Sequence, residues 1–329
     1  MARSGGPDSA GSGDKVTGKV LLLGATGTIG RATAQALMAA GFQVTALVRP
    51  GRAPPPGCTA VAGEVTDPAQ VQAVMASVRP MAVVSCLASR TGAPADAWAV
   101  DHAAHSAVLT AAVTEGVGQF VLLSAICVQK PVLEFQRAKL AFEAELMASG
   151  LDWSIVRATA YFKSLSGQVA RVQAGKPFLV FGDGRLTACK PISDADLGRY
   201  LARCLTDPDN RNRVLPIGGP GPAITPMDQV AMLERLLKRP VPVKRTPVAL
   251  MNGIIGGLSL GGLMSGKLRA KAELARIGRY YATESMLLWD GARYDADATP
   301  EFGSDRLKDH YAAILRGEVP DDRGAHAVF

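Results

Sequence analysis

Short apolar runs alternate with amphipathic, alanine-rich stretches through the first 160 residues. The runs predict strands at Lys19–Leu23, Gln43–Val48, Thr59–Ala62, Ala82–Leu87, Gln119–Ser124 and Trp153–Arg157. Between them, Arg31–Ala40, Pro68–Val78 and Trp98–Glu115 carry helical periodicity. Regular strand–helix alternation argues an α/β fold, a doubly wound parallel sheet with helices on both faces. Further on, Asp194–Leu205 and Met227–Leu237 read as helices of a smaller C-terminal region. The expected division is a dinucleotide-binding domain over 19–160 and a substrate region over 161–316. Loose tails are expected at 1–18, which is rich in Gly and Ser and has no apolar core of a signal peptide, and at 317–329.

The first predicted strand runs straight into Gly24-Ala25-Thr26-Gly27-Thr28-Ile29-Gly30-Arg31, and a helix follows. This GxxGxxG spacing serves the physics of a Rossmann-type phosphate turn. Gly24 permits the tight turn, Gly27 lets backbone approach a pyrophosphate, and Gly30 lets helix and strand pack closely. The helix N-terminus adds free N–H groups and a positive dipole end. Gly24, Thr26, Gly27, Thr28, Ile29, Gly30 and Arg31 are therefore the candidate cofactor-binding residues. The second strand ends at Arg49 rather than at the Asp or Glu that would accept from ribose hydroxyls. A guanidinium suits a 2′-phosphate, which favours NADPH over NADH. Glu64, after the third strand, is expected near the adenine. Leu87 and Ala88, at the end of the fourth, are expected beneath the ribose and nicotinamide.

The fifth strand ends at Ser124, and fifteen residues later comes Lys139 in Glu134-Phe135-Gln136-Arg137-Ala138-Lys139. This layout is similar to the Ser and YxxxK of short-chain dehydrogenases/reductases, with Phe135 in the tyrosine position. Phenylalanine donates no proton. Carbonyl reduction, which develops charge on oxygen and gains most from a positioned phenol, is thereby disfavoured. Reduction of a conjugated carbon–carbon double bond fits better. Ser124 and Lys139 are the candidate catalytic residues; Cys127, Lys130, Tyr161 and Lys163 are open alternatives for the proton donor.

Composition narrows the picture. Of 329 residues, 48% are hydrophobic and 20% charged, which excludes a largely disordered or fibrous chain. Aromatics at 5% argue against stacked single-stranded nucleic-acid binding. The five cysteines form no CxxC and the four histidines no HExxH, so no metal site is expected. The net charge of +7 is concentrated: the window from Lys238 to Arg279 has nine Lys/Arg and one acidic residue, and the rest of the chain sums to −1. Inside it, residues 246–266 are uncharged and include six glycines. They read as an apolar flap whose basic flanks suit an anionic membrane surface, or as a buried segment covering the core. A cytoplasmic protein with peripheral contact to an anionic membrane is the resulting expectation.

The segments SAICVQKP (124–131), EFQRAK (134–139), Tyr161-Phe162-Lys163-Ser164-Leu165, ACKPIS (188–193) and RIGRYYATESM (276–286) together resemble the NADPH-dependent 8-vinyl reductases of divinyl chlorophyllide a, atypical NmrA-like members of the reductase superfamily. The resemblance covers about residues 19–310. It implies NADPH-driven reduction of a vinyl group to ethyl on a chlorophyllide or protochlorophyllide, a large flat tetrapyrrole. Candidate substrate residues are then Cys127, Tyr161, Phe162, Lys190 (for an ionised propionate), Met251 and Met286, with Met264 also available to grip the ring. Two other readings stand beside it: an NADPH reductase of another conjugated double bond, and a non-catalytic NADP(H)-sensing protein.

Overall fold

The computed structural model describes residues 18–262 and 265–319. The tail expectations for residues 1–17 and 320–329, and the expectation for Met264, lie outside the described residues. The strands are β1 (Lys19–Leu23), β2 (Gln43–Val48), β3 (Thr59–Ala62), β4 (Ala82–Ser85), β5 (Gln119–Ala125), β6 (Asp152–Ala158), β7 (Phe178–Phe181), β8 (Arg213–Ile217) and β9 (Val243–Thr246). The helices are α1 (Thr28–Ala39), α2 (Pro68–Val78), α3 (Pro94–Ala97), α4 (His105–Thr114), α5 (Glu134–Met147), α6 (Phe162–Leu165), α7 (Val169–Gln173), α8 (Asp194–Thr206), α9 (Pro226–Leu237), α10 (Val248–Gly262), α11 (Gly266–Thr283) and α12 (Leu307–Leu315).

Seven strands form one parallel sheet in the order β3-β2-β1-β4-β5-β6-β8. In β1, Val20 and Leu22 enter one core while Leu21 and Leu23 enter the other. Burial on both faces is why this strand reads as a continuous apolar run. Leu37 of α1 and Leu197 and Leu201 of α8 cover the first face. Met75 of α2, Val108 of α4 and Phe142 of α5 cover the second. Helix α2 starts where expected because Pro68 occupies its first turn and the Asp67 carboxylate accepts from the Ala69 and Gln70 N–H groups.

The sheet takes more of the chain than the division at residue 160 allowed. Helix α8 and strand β8 come from the stretch 161–316, yet they complete the central sheet. The helix expected over Trp98–Glu115 is π-wound over Trp98–Ala104 and α-helical only from His105. The remaining layer is built on a third core. Phe162, Phe178, Leu233 and Tyr311 pack between the parallel pair β7–β9 and helices α7, α9 and α12. The fully buried Tyr311 keeps its hydroxyl satisfied by donating to the Leu165 carbonyl (2.7 Å) and Gln229 Oε1 (2.9 Å). Residues 246–266 fold mainly as α10, which packs against α11 and buries only Gly262 among its described residues. Among the described residues no helix is long and apolar enough to cross a membrane.

Candidate active site

Strand order reverses between β1 and β4, the place where open parallel sheets bind ligands beyond their carboxyl ends. There Gly24 leaves β1 with φ of +69°, and a Cβ on it would stand 2.5 Å from the Cys86 carbonyl oxygen. A Cβ on Gly30 would stand 2.1 Å from the Gly24 carbonyl oxygen. The turn is thus clamped between the end of β4 and the first turn of α1. No side chain caps α1, and no acidic residue lies in its first turn. Its leading N–H groups are left for an anion. Thr26 and Gly27 are exposed, and Thr28 and Ile29 are half-buried. Arg31 is exposed, and its Nε donates to the Thr26 carbonyl at 3.1 Å. Arg49, just past β2, is exposed; Glu64, past β3, is half-buried. Leu87 is half-buried and Ala88 exposed, past the end of β4. These residues fit a dinucleotide laid across the strand ends, with the close backbone approach and the uncapped helix that a pyrophosphate requires. Lys163 of α6 joins the turn by donating from Nζ to Thr28 Oγ1 (3.0 Å).

Lys139 and Ser124 lie behind this outlet and are both engaged. Lys139 Nζ pairs with Asp101 Oδ1 at 2.9 Å, with the Asp101 side chain fully buried. The same oxygen accepts the Ser89 N–H (3.2 Å), while Asp101 Oδ2 is buried without a partner among the described residues. Burial acts to raise the Asp101 carboxyl, but Lys139 and Ser89 together hold it below the ordinary carboxylate value. His105, four residues on, bonds Ser85 Oγ through Nε2 (2.8 Å) and the Val100 carbonyl through Nδ1 (2.9 Å). The carbonyl assigns the proton to Nδ1. Burial first, and the Lys139 charge second, push His105 down to about 4. Ser124 Oγ donates to the buried Glu143 Oε1 at 2.5 Å, and Glu143 pairs with Arg157. The Ser124 hydroxyl therefore points under α5 rather than out of the strand end.

The expected substrate residues divide. Cys127 and Met286 are buried in one apolar wall with Phe135, Cys189, Ile277 and Tyr280, and Tyr281 packs on it. The Cys127 thiol lies 3.9 Å from the Tyr281 hydroxyl, and the Cys127 carbonyl accepts from Gln136 Nε2 and Tyr280 Oη, each at 2.9 Å. Phe135, in the position of the missing phenol, is 8% exposed. Tyr161 emerges just after β6 and is half-buried, whereas Phe162 turns into the third core. Met251 is half-buried on α10. Lys190 is not free for a propionate, because it is buried and its ammonium bonds Glu301 Oε1 (2.6 Å) and the Thr299 carbonyl (3.3 Å). Lys130 is likewise taken by Glu284 Oε2 (2.6 Å) and the face of Trp289. Residues the sequence reading missed are Asp101, His105 and Tyr281. The first two stand four apart in an alanine-rich stretch, a polar pair on one helical face that was a usable signal.

Residues 24–208 match a family model described as NAD(P)H-binding. The divinyl chlorophyllide a 8-vinyl-reductase, chloroplastic, of Zea mays is 46% identical over 332 residues, spanning 94% of this chain and 82% of that protein. The protein of the same description from Oryza sativa subsp. indica is 44% identical, over 94% of this chain and 82% of its own length. The solved structure of UDP-glucose 4-epimerase with UDP-glucose from Thermotoga maritima superposes with a TM-score of 0.67 at 16% identity, over 91% of this chain and 97% of that one. That likeness speaks for the fold alone.

Proposed function

Because this chain belongs to the divinyl chlorophyllide a 8-vinyl-reductase family, we propose that it reduces the 8-vinyl group of divinyl chlorophyllide a to ethyl with NADPH. The observation that carries the reading is the meeting of two surfaces at one end of the sheet. An uncapped glycine turn built for a pyrophosphate opens beside an apolar wall in which Phe135 replaces the phenol of a carbonyl reductase. When bound, NADPH supplies the hydride. The chain's own residues bind, orient and dehydrate. The turn from Gly24 to Arg31 holds the phosphates, and Arg49 recognises the 2′-phosphate. Lys163 sits against Thr28 at the edge of that turn. The Lys139–Asp101 pair ties the outlet of β4 through the Ser89 N–H, and in this reading Lys139 orients the ribose or nicotinamide. Tyr161, Met286 and Met251 meet the macrocycle, with the buried Cys127 lining the wall beneath them, while Phe162 and Lys190 support the wall from behind. An apolar wall of this kind excludes water and holds the reacting carbon in place.

The test is an anaerobic assay with 3,8-divinyl chlorophyllide a, read by the blue shift of the Soret band and by chromatography. Monovinyl product should form with NADPH and little with NADH. Arg49→Glu should raise the KM for NADPH by about 10-fold to 100-fold, the worth of a charge-assisted hydrogen bond to phosphate, and leave that for NADH nearly unchanged. No product in the presence of bound NADPH would sink the reading.

We propose also that α10 rests on an anionic membrane surface. Leu250, Ile254 and Leu260 are 56%, 50% and 72% exposed. Lys244 and Arg245 precede the helix, Lys267, Arg269 and Lys271 follow it, and all five are exposed. An apolar helix between basic flanks suits shallow insertion among acidic headgroups. The protein should sediment with phosphatidylglycerol vesicles and not with phosphatidylcholine vesicles. Leu250→Glu with Leu260→Glu should abolish that sedimentation; retention by the double variant would exclude this face.

A further inference from the structure

We infer that Tyr161 is the proton donor of the reaction, an inference that rests on the vinyl-reductase reading and deepens it. The position is the first ground. Tyr161 packs at the edge of the core that also holds Ile29 of α1 and Cys86 at the end of β4, so it belongs to the cofactor side of the outlet. Its backbone pairs with Ile192, and Lys163, two residues on, touches the glycine turn. At the same time Ala160, its chain neighbour, packs on the substrate wall that holds Cys127 and Tyr281. It is the residue that stands between the two surfaces.

Availability is the second ground. The rival donors are tied to other groups. Lys130 is held by Glu284 and stacked on Trp289, Lys163 is bonded to Thr28, and the Cys127 thiol is buried beside the Tyr281 hydroxyl. The Tyr161 hydroxyl makes no hydrogen bond among the described residues and is not sealed in the core. Its chemistry is the third ground. Burial, with Cys86, Cys127 and Asp194 nearby, pushes the phenol well above its ordinary value, so it keeps its proton until a strong base forms beside it. A carbanion conjugated to a macrocycle is such a base.

The step balances. One vinyl carbon gains hydride from NADPH. The Tyr161 O–H bond breaks, its electron pair stays on oxygen, and the proton joins the pair on the second vinyl carbon. The phenolate takes a proton back from water. The sum is an ethyl group, NADP+ and one proton drawn from solvent.

Tyr161→Phe removes one oxygen that bonds no other described residue, so the fold should be kept. Fluorescence titrations should give Kd values for NADPH and for divinyl chlorophyllide a within about 3-fold of wild type, while kcat falls by at least about 100-fold, the usual worth of a positioned acid. Tyr161→Ala should regain turnover when phenol is added to fill the space, a recovery that a purely structural role would not show. Turnover by Tyr161→Phe at near the wild-type rate overturns the inference. So does a larger loss in Tyr281→Phe than in Tyr161→Phe, or loss of binding without phenol rescue. If the wild-type protein does not reduce the pigment, it is the vinyl-reductase reading itself that fails.

Discussion

Gly30→Ala should abolish NADPH binding, with the Kd raised by more than about 100-fold in a calorimetric titration. The added methyl would sit 2.1 Å from the Gly24 carbonyl oxygen and 2.8 Å from the Ala25 Cα. Both are backbone atoms, and backbone clamped between β4 and α1 has no rotamer to change. The helix must move away from the strand, and its leading N–H groups go with it. Those N–H groups give a pyrophosphate most of its contacts at such a turn, so a shift of about 1 Å is enough to lose them. Forced overpacking also costs about 1–3 kcal/mol of stability, to be read as a lower unfolding midpoint in urea. A variant that binds NADPH as wild type does would show that the glycine turn is not the phosphate site.

Lys139→Met should cost about 3–5 kcal/mol of stability, since it strands a buried carboxylate whose second oxygen already lacks a partner. The pH dependence separates this from a simple packing loss. In the wild type Asp101 is held below its unfolded value, near 3.9. The pair therefore contributes stability above about pH 4 and loses it as pH falls through the folded value. In Lys139→Met the balance inverts. Burial alone then raises the carboxyl, and the penalty grows as pH rises and Asp101 must ionise. Urea midpoints of variant and wild type should converge between pH 8 and pH 5. The double variant Lys139→Met with Asp101→Asn should recover most of the stability but not turnover. Recovery of both would make Lys139 a structural residue only.

Much of the sheet was legible because its strands are buried on both faces. Lys19–Leu23 and Gln43–Val48 have the bounds expected from their apolar runs, and Pro68 with Asp67 fixed the start of α2; Thr59–Ala62 also keeps its expected bounds, although this edge strand is largely exposed. Strand β8 was not legible: Arg213–Ile217 carries a proline and an exposed arginine at the sheet edge, where one flank needs no partner. The π-wound turn at Trp98–Ala104 has no sequence period of its own. It is held by tertiary bonds from Asp101 to Ser89 and Lys139 that join residues far apart in the chain. Of the site, the glycine turn could be read because its function dictates backbone, and backbone dictates glycine. Lys190 shows the opposite case. Nothing in Cys189-Lys190-Pro191 announces Glu301, over a hundred residues downstream, as its partner.

The late arrival of α8 has a consequence for synthesis. Helix α1 leaves the ribosome well before α8: Leu197 and Leu201, which cover Leu37 in the same core, follow it about 160 residues later. At translation rates of about 5–20 residues per second, that apolar face stays uncovered for roughly 8–30 seconds. A nascent chain stalled before Thr206 would present it to solvent in full, a natural target for the cell's holding chaperones. The nucleotide cradle thus becomes rigid only after the chain has been made through α8.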